Sequence, residues 1–250
     1  MKKLFLALAI NLLLIGCNKD TPELKFDELN IEQVSELNCI AEEENCTFIG
    51  IKVPWAMGKD TRSNLLNSHV EKHVIKLIDY QDATELGSLE NLAQTFINDY
   101  EASAKEFPEY NLPWEAFVEG KITHESEKLI SIQFDLALFT GGAHGYTSVS
   151  YLNFDPETGR LLSNNDLFSE EFKRFAEKGF RNKNDIPENE SINSTGFFFE
   201  DDEFQLPQNI GFHSNKVVLR YNSYEIASYA EGDIQLEFKM EEVKKYFKIL

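Results

Sequence analysis

The strongest local pattern in this sequence is an alternating stretch, Ile130-Ser131-Ile132-Gln133-Phe134-Asp135-Leu136-Ala137-Leu138. Apolar residues at every second position predict a β-strand with one face in a core. A second strand is predicted over residues 146–154, beyond a glycine-rich turn. Another turn follows at residues 155–159, where Pro156 presets its φ angle and Gly159 permits a positive one. A strand pair at the centre of the chain is therefore expected.

Upstream of this pair the hydrophobic period becomes that of helices. Leu66, Val70 and Val74 recur at helical spacing, which predicts an amphipathic helix over residues 63–79. Ser88 is a suitable N-cap for a second helix, which must end before Pro108. Residues 31–54 precede the helices and predict two strands that the helices should cover.

Downstream, the pattern predicts a short helix capped by Ser169, with phenylalanines facing inward. The acidic, Asn-rich residues 182–203 are expected to form a loop or a poorly ordered insertion. Strands are expected at 217–221 and 234–238, before a closing helix at 241–247. The fold class is thus α+β, a largely antiparallel sheet with packed helices in two closely associated subdomains. We place the subdomains at residues 31–110 and 111–250.

The amino terminus has the pattern of a lipoprotein signal. Lys2 and Lys3 precede an apolar run, and Gly16 stands directly before Cys17. The run is shorter than the roughly 20 residues that span a bilayer. We expect cleavage after residue 16, a lipid on Cys17 that provides contact with a membrane, and a polar tether over residues 17–30. The expected location is the cell envelope, in the outer membrane if the host has two membranes.

The chain is strongly acidic. It has 43 Asp and Glu residues against 24 Lys and Arg, for a net charge of -19. Loss of residues 1–16 would remove two lysines and no acids, giving 22 minus 43, or -21. Such a surface repels nucleic acid and attracts cationic proteins. The alternative is that the charge serves solubility alone.

The remaining two cysteines, Cys39 and Cys46, are predicted to form a disulfide across a turn, because an oxidising envelope favours the pairing of cysteines so close in sequence. Their spacing does not match a CxxC redox or zinc motif. The acidic residues between them are read as an exposed turn.

Several residues could carry chemistry, and each also has a structural explanation. Gly141, Gly142 and Gly145 would cradle an anion only if a helix followed them, and a strand follows, so a tight turn is favoured. His144, within this turn, could be a base or metal ligand, or it could bond to neighbouring backbone. Asp135 and Glu225 could form an acid–base pair. Alternatively, Tyr224 and Glu225 tie a turn that places Ile226 in the core.

Other candidate motifs give weaker signals. His69 and His73 stand one helical turn apart, but they lack the glutamate spacing of zinc hydrolases. No cofactor or metal is therefore predicted. The aromatic residues 197–199 beside four acids predict either an interaction surface or a buried strand.

Three segments together resemble a known family. They are residues 139–145 with 151–155 and 158–162, residues 221–232 (Tyr-Asn-Ser-Tyr-Glu-Ile-Ala-Ser-Tyr-Ala-Glu-Gly), and residues 51–54 with the helix that follows. They are similar to the signatures of a bacterial extracytoplasmic domain family of unknown function, together with the smaller domain that usually precedes it. The resemblance extends over roughly residues 31–250.

Members of that family form the outer part of a lysozyme-sensing anti-sigma-V factor and accompany a peptidoglycan deacetylase. The resemblance implies an envelope location and a precedent for binding lysozyme. The chain differs from the sensor in having a lipoprotein signal where the sensor has a sigma-binding segment and a membrane helix. We expect a binding or sensing module for a cationic protein such as lysozyme, or for a wall fragment. An envelope glycan hydrolase and a structural envelope component remain alternatives.

Overall fold

The computed structural model describes residues 23–40, 45–79, 87–110 and 112–249. The predicted signal peptide, Cys17, the start of the tether and the acidic turn between the paired cysteines lie outside these residues. Within the described ranges, no helix combines the length and apolar character needed to cross a membrane.

The first structural unit is a five-stranded sheet. Neighbouring strands are antiparallel except for the second and third, which run parallel. A largely antiparallel sheet is therefore confirmed. In spatial order, which is also chain order, the strands are β1 (Phe26–Val34), β2 (Phe48–Ala56), β3 (Glu115–Glu125), β4 (Ile130–Phe139) and β5 (Tyr146–Phe154).

Two helices, α1 (Thr61–Ile78) and α2 (Leu89–Glu106), cover one face of this sheet. The Ser88 side chain caps α2 by accepting a hydrogen bond from Asn91 N, and α2 ends before Pro108, as predicted. The alternating apolar residues of β4 face these helices, which confirms the period-two pattern. The core between sheet and helices contains Ile49, Ile51, Leu66, Val70, Val74, Leu92, Ala93, Val118, Ile132, Phe134 and Phe154.

The disulfide between Cys39 and Cys46 is present. It closes the turn that joins β1 to β2, next to paired backbone hydrogen bonds between Ile40 and Asn45. The disulfide and the two hydrogen bonds therefore both hold the ends of this turn together.

Two boundaries predicted from the sequence need correction. The tether was expected to extend to residue 30, but β1 begins at Phe26, because Phe26, Leu29 and Ile31 pack against the core. The subdomain boundary was placed after residue 110, but β3, β4 and β5 continue the sheet begun by β1 and β2. The change of sheet comes after residue 154.

The second unit is a three-stranded antiparallel sheet with a phenylalanine-rich core. Its strands are β6 (Asn209–Phe212), β7 (Lys216–Tyr221) and β8 (Ile234–Lys239), and its helices are α3 (Asn164–Leu167), α4 (Glu170–Lys183) and α5 (Met240–Val243). Ser169 occupies the N-cap position of α4, without a capping hydrogen bond from its side chain. The closing helix is shorter than predicted, since a 3-10 turn follows α5 at Lys244–Tyr246.

The segment predicted as a loop over residues 182–203 is irregular after the end of α4, yet it contributes to the core. The second core contains three buried residues of this segment, Ile186, Ile192 and Phe199, whereas Phe198 is exposed. The aromatic run 197–199 is therefore split between core and surface, and it is not a strand.

The two units pack closely through β5 and β6. Asn153 Nδ2 donates to Ile210 O at 2.7 Å, and Phe212 N donates to Ser131 Oγ at 3.1 Å. Gly211 lies against the ring of Tyr151, where an added Cβ would stand 2.1 Å from a ring carbon. Only glycine fits at this position. These contacts between the units confirm the prediction of two intimately associated subdomains.

Candidate functional site

The glycine-rich motif forms the turn between β4 and β5. Gly141 and Gly142 have φ angles of 91° and 93°, a backbone region that favours glycine. His144 is exposed, and its Nδ1 lies 3.0 Å from Gly145 O. Because β5 follows the turn, no helix terminus points at an anion here. The hairpin interpretation and the backbone bond of the histidine agree with expectation.

The second motif covers part of the free edge of β5 with one amide side chain. Asn222 Oδ1 accepts from Val149 N at 2.9 Å, and Asn222 Nδ2 donates to Val149 O at 3.0 Å. Leu162 N likewise donates to Asn153 O at 2.7 Å. These contacts satisfy outward-facing backbone groups that a sixth strand would otherwise use.

Glu225 holds Asn222 in position. Its Oε1 accepts from Asn222 Nδ2 at 3.2 Å and from Asn209 Nδ2 at 3.4 Å. Partial burial raises the pKa of the Glu225 carboxyl above its ordinary value, against the lowering effect of the Asn222 hydrogen bonds. Ile226 is buried beside it. The predicted role of Glu225 in tying a turn is thus observed.

The two motifs meet in a row of stacked aromatic rings. The His144 ring lies 4.8 Å from the Tyr229 ring, and Tyr229 lies 5.4 Å from Tyr224, with interplanar angles of 21° and 27°. Tyr224 and Tyr229 are 58% and 45% exposed. We call His144, Tyr229 and Tyr224 the aromatic stack. It joins the turn of the first unit to the second unit at the surface.

Tyr224 adopts an unusual backbone conformation in this stack. Its φ angle is 73°, which is a rare value for a bulky side chain and costs about 1 kcal/mol or more. The hydrogen bonds of neighbouring Asn222, Ser223 and Glu225 maintain the turn. In this strained conformation the Tyr224 ring lies at the surface and not in the core.

The three candidates for acid–base chemistry have separate partners. His144 bonds to backbone and stacks on Tyr229, and Glu225 bonds to the amides of Asn222 and Asn209. Asp135 accepts from Gln133 Nε2 at 2.9 Å and lies 3.9 Å from Lys121 Nζ. In the described part of the chain, no hydrogen bond or ion pair joins any two of the three.

A cavity of about 810 Å³ lies between the two units, beside β5. A second cavity of about 470 Å³ adjoins it and shares Lys76, Leu77, Tyr146 and Ser148 with it. We call the two together the inter-unit groove. The sequence did not predict it, because its walls come from distant segments. They are α1, β4 with the glycine-rich turn, β5, α3, α4, the segment 205–209 and Asn222.

His73 and Ser150 form a pair inside this groove. His73 Nε2 lies 2.7 Å from Ser150 Oγ. Burial, with a smaller effect of Lys76, lowers the pKa of His73 to about 4, so the ring is neutral near pH 7 and is a weak base. His69 makes a separate contact with the Phe154 ring. Among the described residues, no group of three or more His, Cys, Asp and Glu side chains could hold a metal.

Comparisons with known proteins give two domain matches. Residues 40–147 match the family model described as deacetylase PdaC, and residues 161–241 match the model of a protein of unknown function, DUF3298. There is no significant match among curated protein sequences. The first match covers most of the five-stranded sheet with its helices, and the second covers most of the phenylalanine-rich unit.

Two crystal structures show the same fold. A DUF3298 family protein from Pseudomonas aeruginosa has a TM-score of 0.65 and 20% identity, covering 91% of this chain and 95% of its own. A DUF3298 family member from Bacteroides fragilis has a TM-score of 0.65 and 16% identity, covering 90% and 93%. The two-unit arrangement is therefore shared with these proteins.

Proposed function

We propose that this chain, which joins a PdaC-type domain to a DUF3298 domain, is a binding module of the cell envelope. Its proposed ligand is a cationic protein. Its lipid on Cys17 would hold it at a membrane, in the outer membrane of a host that has two. Lysozyme, the partner in the precedent implied by the sequence resemblance, is the first protein to test.

The aromatic stack is the observation that carries this proposal. Tyr224 is the end ring of the stack and the more exposed of its two tyrosines. An exposed tyrosine face attracts Lys and Arg side chains by about 0.5–1 kcal/mol. Glu231 lies two residues beyond Tyr229 and is exposed, and the whole chain has 19 more acidic than basic residues. Long-range attraction would bring a cationic protein to this surface, and the rings would supply local contacts.

The hydrolase alternative has less support. Its three candidate residues, His144, Asp135 and Glu225, contact different partners, and each of these contacts has a structural role. The His73–Ser150 pair has the spacing of a base and a nucleophile, but among the described residues no carboxylate accepts a hydrogen bond from His73. A third partner that orients the base is a usual part of such sites.

Calorimetry with the purified chain and hen lysozyme tests the proposal. We expect binding that weakens as salt is raised from 50 to 300 mM, because exposed charges are screened. Replacing both Tyr224 and Tyr229 by alanine should weaken binding by about tenfold, since two exposed ring contacts are lost. Phe198→Ala, which removes a similarly exposed ring elsewhere, is the matched control.

The possible results separate three conclusions. Absence of salt-dependent binding to lysozyme would remove lysozyme as the partner. Equal binding of cytochrome c, another cationic protein, would show attraction by charge alone. An equal loss in the Phe198 control would mean that the aromatic stack is not the contact surface.

The anchor is tested separately by mass spectrometry of the protein isolated from its host. We expect an amino-terminal Cys17 with a mass increase of attached acyl chains. An intact Met1, or an unmodified Cys17 in a cytosolic fraction, would contradict the envelope assignment.

A further inference from the structure

The inter-unit groove differs in charge from the rest of the molecule. Its larger cavity is lined by two lysines, Lys76 and Lys173, and one acid, Glu170, although acids outnumber bases by 43 to 24 in the chain. Within the described ranges, neither lysine forms an ion pair, and Lys173 Nζ donates instead to the neutral Gln205 Oε1 at 2.9 Å. Two ammonium groups therefore face a shared space with little neutralisation.

Amides and hydroxyls dominate the polar lining. Seven of the residues around the larger cavity are Asn or Gln, and Ser148, Ser150 and Ser163 add hydroxyls. Side-chain amides both donate and accept hydrogen bonds, as sugar hydroxyls do. Asn153 Oδ1 is buried at this wall without a hydrogen-bond partner in the protein. Several of these groups are paired within the protein, as Asn222 is with Val149 and Ser150 is with His73. Within the described ranges, the side chains of Asn165, Gln208 and Ser148 form no hydrogen bond, so they offer neutral polar contacts in addition to the two positive charges.

The edge of β5 argues against a peptide as the ligand. Peptides commonly bind such edges by adding a strand through backbone hydrogen bonds. Here the outward N–H and C=O groups of Val149 are taken by Asn222, and the C=O group of Asn153 is taken by Leu162 N. Strand addition is therefore blocked at Val149 and at the C=O group of Asn153.

A tyrosine ring stands where the two cavities meet. Tyr146 lines both of them and is 40% exposed, so its ring offers an apolar face beside polar groups. Sugar rings present C–H groups on one face and hydroxyls at the rim, which matches such a surface. The cavity volumes are in the range that small-ligand sites occupy.

We propose that the inter-unit groove is a binding site for an oligosaccharide that carries carboxylate groups. Lys76 and Lys173 contact the carboxylates, and the side chains of Asn165, Gln208 and Ser148 contact the hydroxyls. Tyr146 packs against a sugar ring. The site is distinct from the aromatic stack, and only His144 touches both. Wall fragments, the second partner class expected from the sequence, fall within this ligand class when they carry free carboxylates.

Calorimetry with three probes of similar length tests the proposal. They are tetragalacturonate, which has sugar rings and carboxylates, maltotetraose, which has rings alone, and tetraglutamate, which has carboxylates alone. We expect tetragalacturonate to bind at least about tenfold more tightly than either of the others. The expectation follows because charge-assisted hydrogen bonds contribute more than neutral ones, and both kinds must be present together.

A double variant in the groove locates the site. Lys76→Gln with Lys173→Gln should weaken tetragalacturonate binding by about tenfold or more. Lys128→Gln with Lys178→Gln makes the same change of charge at exposed positions outside the groove lining and should leave the affinity within about twofold.

The results that would overturn the proposal are distinct from those that concern lysozyme. Equal affinity for tetraglutamate or for maltotetraose, no binding of tetragalacturonate, or equal losses in both lysine pairs would each refute it. Tyr224→Ala should reduce lysozyme binding and leave tetragalacturonate binding unchanged, because Tyr224 does not line the groove. Failure of one proposal therefore leaves the other open to its own test.

Discussion

The core under α1 and α2 and the core around α4 are filled by different side chains. Three phenylalanines are buried in the first core, among many Ile, Leu and Val residues, whereas six are buried in the second. The second sheet has strands of only four to six residues, and a long irregular segment covers part of it. Large rings bury much area per residue, so they can build a core where regular structure is scarce.

The two cores should therefore respond differently to substitution. In the first unit, burial is shared among many aliphatic residues on long strands and helices. In the second, single rings contact several others, as Phe180 does with Phe197, Phe199, Phe204 and Tyr221. Removal of one ring should therefore be more damaging than removal of one methyl group from the aliphatic core.

The largest expected effect comes from Phe180→Ala. The side chain is fully buried, and its removal should lower the free energy of unfolding by about 3–5 kcal/mol, through lost burial and a residual cavity. Ile132→Val in the first core should cost about 1 kcal/mol. Urea unfolding of both variants, with Phe198→Ala as an exposed control, measures the contrast. Equal losses for Phe180→Ala and Phe198→Ala would contradict this view of the second core.

A smaller effect is expected from Asn222→Ala at the junction of the two units. The change leaves the Val149 backbone groups without their partner and should cost about 2 kcal/mol. Asn165→Ala, at an exposed amide, is the matched control. If the two units unfold as one, the variant keeps a single transition. Two separate transitions would show that this edge contact couples the two cores.

The smallest effect concerns pH and the first unit. The pKa of His73 is lowered to about 4 by burial, while an unfolded histidine titrates near 6.5. Between these values the unfolded chain takes up a proton that the folded chain does not, so stability falls as pH falls. At pH 5.5 the loss relative to pH 7.5 should be about 1 kcal/mol from this residue.

His73→Gln should reduce that loss of stability. Urea unfolding at pH 5.5 and at pH 7.5 measures this loss of stability. Burial also lowers the pKa of His124 and His213, so the wild type should lose more than His73 alone explains. An unchanged pH dependence in His73→Gln would mean that this ring is already hydrated in the folded state.

The sequence predicted the elements with strong periodicity. Residues 130–138 alternate strictly, and α1 and α2 have clear apolar stripes with a cap or a proline at their ends, so these elements were predicted to within a few residues. It did not predict β3, in which Gly120 and Lys121 interrupt the alternation and only Ala116 and Val118 are buried. It also did not predict β6, which is four residues long.

The candidate site was less accessible from the sequence, because it depends on contacts between distant segments. The two motifs were identified from the family resemblance, but nothing local shows that His144 stacks on Tyr229. Asn222 and the His73–Ser150 pair were missed for the same reason, since their partners lie more than 70 residues away. A polar residue flanked by core positions, as Asn222 is beside Tyr221, was the one available signal.

The parallel pairing of β2 and β3 has a consequence for how the molecule is assembled. The chain must traverse residues 57–114, with both long helices, before β3 can reach β2, whereas β3, β4 and β5 are joined by short turns. Pairing of two strands that lie so far apart in the sequence is slow compared with local hairpin formation. Until it occurs, β2 presents an open edge to other chains. We therefore expect refolding yields to fall as the protein concentration rises, with intermolecular strand pairing at β2 as the competing event.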